Sequence, residues 1–322
     1  MPANLSRDIS SEDGLRESRP LFVTKLEERV RYNLCADLPL LLAGNRDLVH
    51  RIGRRSRDLL GKIVYLERAR RLMDLAKKAI LESDRRRRPF SPCATWWAGS
   101  LSGAKGRMKR DWLADPGGIY LCIAIYPALL RERWQLYNVA TGVALCEILR
   151  EWGMEAEIRW LNDIMINGKK AAGILAETIS TPNLAETYLL TGLGINVNQR
   201  KFPPHIQGSS TSLLLETGRP WPVFDLGTHI LSRIAFYFAV LHDWEASCLD
   251  EGMEEGPGCP VIKAYKSLCA SAGRRILYGK DLENSPGIPA VASQIMADGA
   301  LEIVLEDGHK MQVNTGEIRY ED

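Results

Sequence analysis

The pattern of apolar and polar positions along the chain predicts helices and strands in a mixed order. Residues 62–81 are typical of a short strand followed by an amphipathic helix, because apolar side chains recur there with charges between them. The uninterrupted apolar run 119–125 predicts a buried strand. Residues 134–152 have the helical period. Further patterns predict helices over 222–250 and 260–272, and short strands from about 275 to the end.

The middle of the chain gives the clearest local prediction, which is a hairpin. Residues 157–160 and 163–166 are strand-like, and Asn167-Gly168 is a strong signal for a tight turn. The return strand is predicted over 171–179. Another strand follows over 186–198.

These elements predict an α+β fold, with a mixed, mainly antiparallel sheet flanked by helices. Residues 1–60 are expected to form an N-terminal extension, helical or partly disordered, with a loose leader up to about residue 20. The main domain is predicted over 61–272. The short strands and turn signals of 273–322 favour a small C-terminal β-barrel.

Composition narrows the class of protein only a little. The formal net charge of +2 gives no global attraction to nucleic acid or membranes. The N-terminus lacks a signal-peptide pattern, and the apolar stretch 118–130 is too short to span a bilayer as a helix. The seven cysteines contain no C-x-x-C pair, which indicates free thiols in a reducing compartment. We therefore expect a soluble, cytoplasmic protein.

Three segments are candidates for chemistry. The loop from Lys105 to Trp112 carries four cations and a glycine, which can wrap a polyanion, although a solvated basic loop is the alternative. The predicted hairpin brings Lys170 near Asn162-Asp163, where a lysine can neutralise a reacting carboxylate or phosphate. Ordinary hairpin charges are the alternative there. Gly192 and Gly194 interrupt a strand, which indicates close approach to the backbone or a bulge.

In order and spacing, these segments resemble those of biotin protein ligases of the biotin/lipoate A/B ligase superfamily. The loop is similar to the family's G-R-G-R-x-G-R-x-W pattern, and Arg159-Trp160-Leu161-Asn162-Asp163 to its K-W-P-N-D. Lys170 follows Asp163 by seven residues, as in the family, and opens a segment similar to K-x-A-G-I-L-x-E. Residues 192–196 resemble G-x-G-I-N, and 210–213 resemble A-T-S-L.

The resemblance covers roughly residues 60–322 and implies a fold like that of class II aminoacyl-tRNA synthetases, with a ligase catalytic domain over 61–272. It implies adenylation of biotin by ATP with Mg²⁺, and transfer to a lysine of a carrier protein such as that of acetyl-CoA carboxylase. A homodimer is possible, and membrane binding is not expected. The implied site residues are Lys170 and Arg107 for catalysis; Lys105, Gly106, Arg110, Trp112, Asn162 and Asp163 for the nucleotide or adenylate; Gly173, Gly192, Gly194 and Asn196 for the acyl pocket; and Asp163 for Mg²⁺ through the phosphates.

The chain departs from the family pattern where the biotin ring would bind. The family's Ser-Thr-Asn aligns with about Arg71-Leu72-Met73, and its Gln falls near Leu101 or Ser102. Ser, Thr, Asn and Gln side chains are those that hydrogen-bond the ureido ring. Three alternatives follow: other residues bind biotin, the acid is a different one, as in lipoate or octanoate ligation, or the chain is a non-catalytic binding protein.

DNA binding is not expected. Residues 1–60 show no helix-turn-helix spacing, and the basic runs 51–57 and 85–88 are interpreted as solvated faces.

Overall fold

The computed structural model describes residues 20–250 and 258–321, so the expected leader before residue 20 lies outside the described residues. The helices are α1 (Pro20–Leu41), α2 (Arg46–Asp58), α3 (Leu72–Arg85), α4 (Gln135–Glu151), α5 (Pro204–Gln207), α6 (Leu213–Thr217), α7 (Val223–Asp250) and α8 (Pro260–Leu268). The strands are β1 (Lys62–Leu66), β2 (Cys93–Ala98), β3 (Ile119–Ile125), β4 (Ala156–Arg159), β5 (Asp163–Ile166), β6 (Lys169–Ser180), β7 (Thr187–Ile195), β8 (Arg275–Gly279), β9 (Ile288–Ile295), β10 (Leu301–Leu305), β11 (Lys310–Val313) and β12 (Glu317–Tyr320).

The main sheet has seven strands in the order β1-β2-β3-β7-β6-β5-β4. Only the pair β1–β2 is parallel; the other neighbours are antiparallel. Side chains alternate between the two faces of a strand, so the sheet supports two separate cores. The larger core lies on the face covered by α4, α7 and α8, and the smaller lies on the face covered by α3. The predicted α+β class, with a mainly antiparallel sheet flanked by helices, is confirmed.

The two N-terminal helices pack into the larger core. In α1, apolar residues at a spacing of four, among them Leu26, Val30 and Leu34, are buried against α7. Arg51 of α2, part of the basic run noted in the sequence, contacts Asp243 of α7 at 2.7 Å. The helices therefore share a core with the main sheet. The domain boundaries predicted at residues 60 and 272 stay predictions.

Helix α7 is the central helix of the larger core. The apolar stretch 118–130 is too short to span a bilayer, but α7 is longer. By length and composition alone, α7 is long and apolar enough to cross a membrane. However, 72% of its most apolar window is buried inside the fold, as in the core helix of a soluble protein.

The C-terminal residues form a five-stranded antiparallel sheet in the order β11-β10-β9-β8-β12. Its apolar face joins the larger core through residues such as Ile276, Leu301 and Ile303. The indole nitrogen of Trp160 donates a hydrogen bond of 3.1 Å to the carbonyl of Gly299. The C-terminal segment, predicted as a small β-barrel, thus forms an antiparallel sheet that contributes to the larger core.

Candidate active site

On the face that carries α3, the centre of the main sheet is lined by glycines. The register pairs Gly194 of β7 with Tyr120 of β3 and with Gly173 of β6, and Gly173 with Asp163 of β5. Gly192 lies one position further along the same face of β7. We call Gly173, Gly192 and Gly194 the glycine floor. The absence of β-carbons there lets other side chains approach the backbone of the sheet closely.

The ring of Trp112 lies directly on this floor. A β-carbon at Gly194 would lie 2.6 Å from Nε1 of Trp112, and one at Gly173 would lie 3.2 Å from its Cζ3. The Nζ of Lys170 lies 5.4 Å from the centre of the same ring. Nε1 of Trp112 is buried and has no hydrogen-bond partner within 20–250 and 258–321. The ring therefore presents an unused donor inside the site.

Lys170 reaches the floor because β6 contains a bulge. The β5–β6 register shifts between Ile164 and Met165, so that Ala171 is an extra residue. In a regular ladder Lys170 would point to the opposite face. Instead, its Nζ lies 2.6 Å from Oδ1 of Asp163. The predicted proximity of the lysine and the aspartate is confirmed, and a single extra residue accounts for it.

A neighbouring segment holds the backbone of Lys170. The N–H of Lys170 donates to the carbonyl of Ser209 at 2.8 Å, and the carbonyl of Lys170 accepts from the N–H of Thr211 at 3.0 Å. Asn196 is buried and donates from Nδ2 to the carbonyl of Thr211 at 3.0 Å. Asn196, predicted for the acyl pocket, therefore supports the segment that fixes Lys170.

The carboxylate of Asp163 lies between two cations. Its Oδ1 contacts Lys170, and its Oδ2 contacts Nη2 of Arg159 at 2.7 Å. Burial raises the pKa of Asp163, but the charges on Lys170 and Arg159 outweigh it and hold that pKa below its usual value. Asp163 is therefore ionised and fixes the direction of both cations.

The same geometry does not suit Asp163 as a metal ligand. Both of its oxygens are engaged by cations, whereas Mg²⁺ needs oxygen ligands that face the ion. The described part of the chain contains no group of three or more His, Cys, Asp and Glu side chains that could hold a metal ion. Mg²⁺ therefore stays a prediction of the resemblance, with phosphate oxygens as its main ligands.

The cationic loop is attached to the C-terminal sheet. Nη1 of Arg107 donates to the carbonyl of Gly316 at 2.7 Å and lies 3.3 Å from Oδ1 of Asn162. Nη1 of Arg110 lies 2.6 Å from Oε1 of Glu317, the first residue of β12. Arg110 also contacts Asp281 and Glu283, the latter at 3.0 Å. Two separate arginines thus join the loop to the C-terminal sheet.

Not all predicted site residues come together. The structure brings together Lys170, Asp163, Trp112, Gly173 and Gly194. Lys105 pairs instead with Asp111 inside the loop, and the N–H of Gly106 donates to the carbonyl of Arg110. Gly192 contacts Met73 of α3, whose Cε would lie 2.8 Å from a β-carbon there.

Two features of this face were not predicted as functional. Arg159 shares Asp163 with Lys170, and the hairpin register could have indicated this, because Arg159 and Asp163 are a cross-strand pair. The second is an ion cluster of Arg71, Lys77 and Glu177, which joins α3 to β6. Glu177 lies 106 positions from Arg71 and 100 from Lys77 in the chain, so the sequence carried no local signal for their contact.

Sequence comparisons match the middle of the chain to one protein family. The sequence profile of the biotin/lipoate A/B protein ligase family matches residues 101–196. The chain is 31% identical over 138 residues to the bifunctional ligase/repressor BirA of Bacillus subtilis, a match covering 42% of each protein. It is 29% identical over 223 residues to the biotin–[acetyl-CoA-carboxylase] ligase of Mycobacterium tuberculosis, covering 67% of this chain and 75% of that protein.

Among solved structures, the fold is similar to that of the biotin protein ligase from Aquifex aeolicus in complex with biotin and ATP. The TM-score is 0.62 at 22% identity, with 80% of this chain and 98% of that chain covered. The match to the Bacillus protein spans 42% of that relative. The family profile, over residues 101–196, includes the cationic loop, the hairpin and the glycine strand. Residues 101–196 thus match the biotin/lipoate A/B protein ligase family, and the chain resembles the biotin protein ligases.

Proposed function

We propose that this chain is an ATP-dependent biotin–protein ligase, which adenylates biotin and transfers it to a lysine of a carrier protein. The observation that carries the proposal is the position of Lys170. Its ammonium group lies against the glycine floor, beside the Trp112 ring, and is fixed by the buried carboxylate of Asp163. A fixed positive charge beside the glycine floor can offset the repulsion between two anionic reactants that must approach each other.

In the first step, a carboxylate oxygen of the acid attacks the α-phosphorus of ATP, and the bond from that phosphorus to the bridging oxygen breaks. Pyrophosphate leaves. Mg²⁺ would be bound mainly by the phosphate oxygens. Lys170 would neutralise the acid's carboxylate and the α-phosphate, which otherwise repel each other. Arg107, held near Asn162, would contact the phosphates from the loop side.

In the second step, the uncharged amine of an acceptor lysine attacks the acyl carbon. The bond to the adenylate oxygen breaks, AMP leaves, and the nitrogen loses a proton. The names of the relatives support biotin as the acid and a carboxylase carrier domain as the acceptor. The free thiols of the described residues fit a reducing, cytoplasmic location.

A lipoate- or octanoate-type ligase is the second candidate. It is favoured by one observation: Leu72 and Met73 are buried where the family carries Ser-Thr-Asn, and Met73 covers Gly192. An apolar acyl chain would suit such a surface without any ureido partner.

Replacement of Lys170 by Met tests the proposal, with biotin-dependent ATP–pyrophosphate exchange as the measurement. We expect the exchange rate to fall by about a hundredfold or more, as when a fixed charge-stabilising donor is removed. Lys169→Met is the matched control, because Lys169 is the exposed neighbour at the start of the same strand. Near-wild-type exchange in Lys170→Met would contradict the proposal. Exchange with octanoate or lipoate but not with biotin would select the second candidate.

A further inference from the structure

The ion cluster of Arg71, Lys77 and Glu177 lies on the same face of the sheet as the glycine floor, at some distance from Lys170. Glu177 is four residues beyond Gly173 in β6, so it points to the same side and lies ~13 Å further along the strand. Its cross-strand partner is Leu190, two residues from Gly192. The cluster therefore marks the far end of the surface that begins at Lys170.

The cluster joins three side chains that remain accessible. Nη2 of Arg71 contacts Oε1 of Glu177, and Nζ of Lys77 lies 2.5 Å from its Oε2. The side chains of Arg71, Lys77 and Glu177 are 20%, 29% and 26% exposed, so a ligand can reach each of them. Burial raises the pKa of Glu177, but hydrogen bonds from Lys77 and Arg71 outweigh it and hold that pKa below its usual value. The carboxylate is ionised and accepts hydrogen bonds only.

The surface between Lys170 and the cluster is apolar. Gly192 pairs with Leu175 on one side and with Cys122 on the other. Met73 covers Gly192, and its sulfur lies 3.7 Å from Nη2 of Arg71. A carboxylic acid of medium length could therefore lie with its carboxylate at Lys170, its chain against Leu175 and Met73, and its other end at Arg71.

The charges of the cluster determine which end group fits. Arg71 also pairs with Asp74 at 2.8 Å, so two cations face two carboxylates. A second carboxylate or an amine on the ligand would disturb this balance. Arg71 offers up to five N–H donors, and each oxygen of Glu177 can accept more than one hydrogen bond. The cluster thus suits a neutral group that both accepts and donates.

We propose that Arg71 and Glu177 bind a urea- or amide-like head group of the acid substrate. Arg71 donates to the head group's carbonyl oxygen, and Glu177 accepts from its N–H. This inference rests on the proposed function, because the acid's carboxylate is taken to lie at Lys170. The ion pair would supply the hydrogen bonds that Leu72 and Met73, which replace the polar residues of the family pattern, cannot make.

Isothermal titration with two acids tests the inference on the full chain without ATP. Biotin carries a ureido head group, whereas octanoate has a carboxylate and an apolar chain only. We expect Glu177→Gln and Arg71→Met each to weaken biotin binding by about ten- to a hundredfold, as for lost hydrogen bonds to charged groups. Octanoate affinity should stay unchanged, which also shows that the variants are folded. Lys78→Gln is the control, because Lys78 is the exposed neighbour of Lys77 on α3.

The outcomes separate this inference from the proposed function. The head-group assignment would be overturned if the variants lost the same affinity for both acids, or lost affinity for neither. It would also be overturned if the wild-type protein bound octanoate but not biotin. Each of these outcomes would leave ligation open. Wild-type protein that binds neither acid and shows no acid-dependent ATP–pyrophosphate exchange would overturn both. Selective loss of biotin affinity in the two variants supports the assignment.

Discussion

Trp112 and Gly194 are in such close contact that no larger residue fits between the indole ring and strand β7. A β-carbon at position 194 would lie 2.6 Å from Nε1 and 2.8 Å from Cε2 of the ring. The contact joins the end of the cationic loop to the centre of the main sheet. Because the ring also contacts Lys170, the position of one glycine affects the loop and the lysine together.

The substitution Gly194→Ala is therefore expected to displace Trp112 from the floor. The fold should survive, because a flexible loop side chain can move, but ATP affinity should fall by roughly tenfold as its site loses one wall. Titration with ATP measures the effect, and thermal unfolding checks the fold. Gly208→Ala is the control, because a β-carbon there meets nothing within 4 Å. Unchanged ATP affinity in Gly194→Ala would show that nucleotide binding does not depend on the contact between Trp112 and Gly194.

The contact between Arg110 and Glu317 predicts that the C-terminal sheet restrains the loop. Arg110 contacts three carboxylates in that sheet and the segment beside it, of which Glu317 is 17% exposed and Glu283 is 59% exposed. Glu317→Gln removes the better-shielded partner, so loop opening should become more frequent. Trypsin cleaves after lysine and arginine, and we expect it to cut between Lys105 and Arg110 several-fold faster in this variant.

Glu306→Gln is the matched control for this experiment, since Glu306 is exposed at a turn of the same sheet. Added salt should speed cleavage of the wild-type loop more than that of Glu317→Gln, because salt screens the ion pair that the variant lacks. Equal cleavage rates in wild type and Glu317→Gln would show that the other contacts hold the loop.

The sequence predicted the elements of the fold where local patterns were strong. The Asn167-Gly168 turn and the run 119–125 correspond to the β5–β6 hairpin and to β3. Strand β2 was not predicted, although all six of its residues are buried. Its Trp96 and Trp97 point to opposite faces, one into each core, so the segment has no alternation of apolar and polar residues to detect.

The site was predictable only in part, for a related reason. Spacing indicated that Lys170 and Asp163 meet across a hairpin, and they do. The bulge that makes the contact possible left no mark in the apolar pattern, because Ala171 and Ala172 are both buried. Glu177 lies 106 residues from its partner Arg71, and Glu317 lies 207 residues from Arg110, so only the tertiary fold decides these contacts.

Arg233 of α7 is the basis for a prediction about stability. It is 3% exposed and lies 2.9 Å from both Glu147 and Glu151 of α4, with Asp37 of α1 at 3.6 Å. Arg233→Met would leave these carboxylates facing each other without a cation. We expect the free energy of unfolding to fall by ~3 kcal/mol, at the low end for a broken buried pair because Glu151 is half exposed.

Urea unfolding measures this loss, with Arg54→Met, an exposed arginine of α2, as the control. Adding Glu147→Gln and Glu151→Gln to Arg233→Met should recover part of the stability, because the carboxylates no longer repel each other. A loss no larger than that of the control would mean that solvent already screens the network.

His242 predicts a loss of stability in mild acid. The hydroxyl of Tyr137 accepts a hydrogen bond from the N–H of Ala128 at 3.0 Å and lies 2.7 Å from Nε2 of His242. A neutral imidazole can accept the hydroxyl proton at Nε2, whereas a protonated one cannot. Burial, and to a lesser extent the charge on Arg55, lowers the pKa of His242 from 6.5 to about 4.

Because the folded-state pKa is the lower one, the unfolded chain binds more protons between pH 6.5 and pH 4. The stability linked to His242 is thus fully present above pH 6.5 and is lost as the pH falls toward 4, by up to ~3 kcal/mol. Urea unfolding of wild type and His242→Gln at several pH values measures it. Glutamine can accept the same hydrogen bond but does not titrate, so the variant should lose less stability across this window. Other histidines and carboxylates titrate alike in both proteins, so parallel pH profiles would contradict the assignment of the buried neutral imidazole.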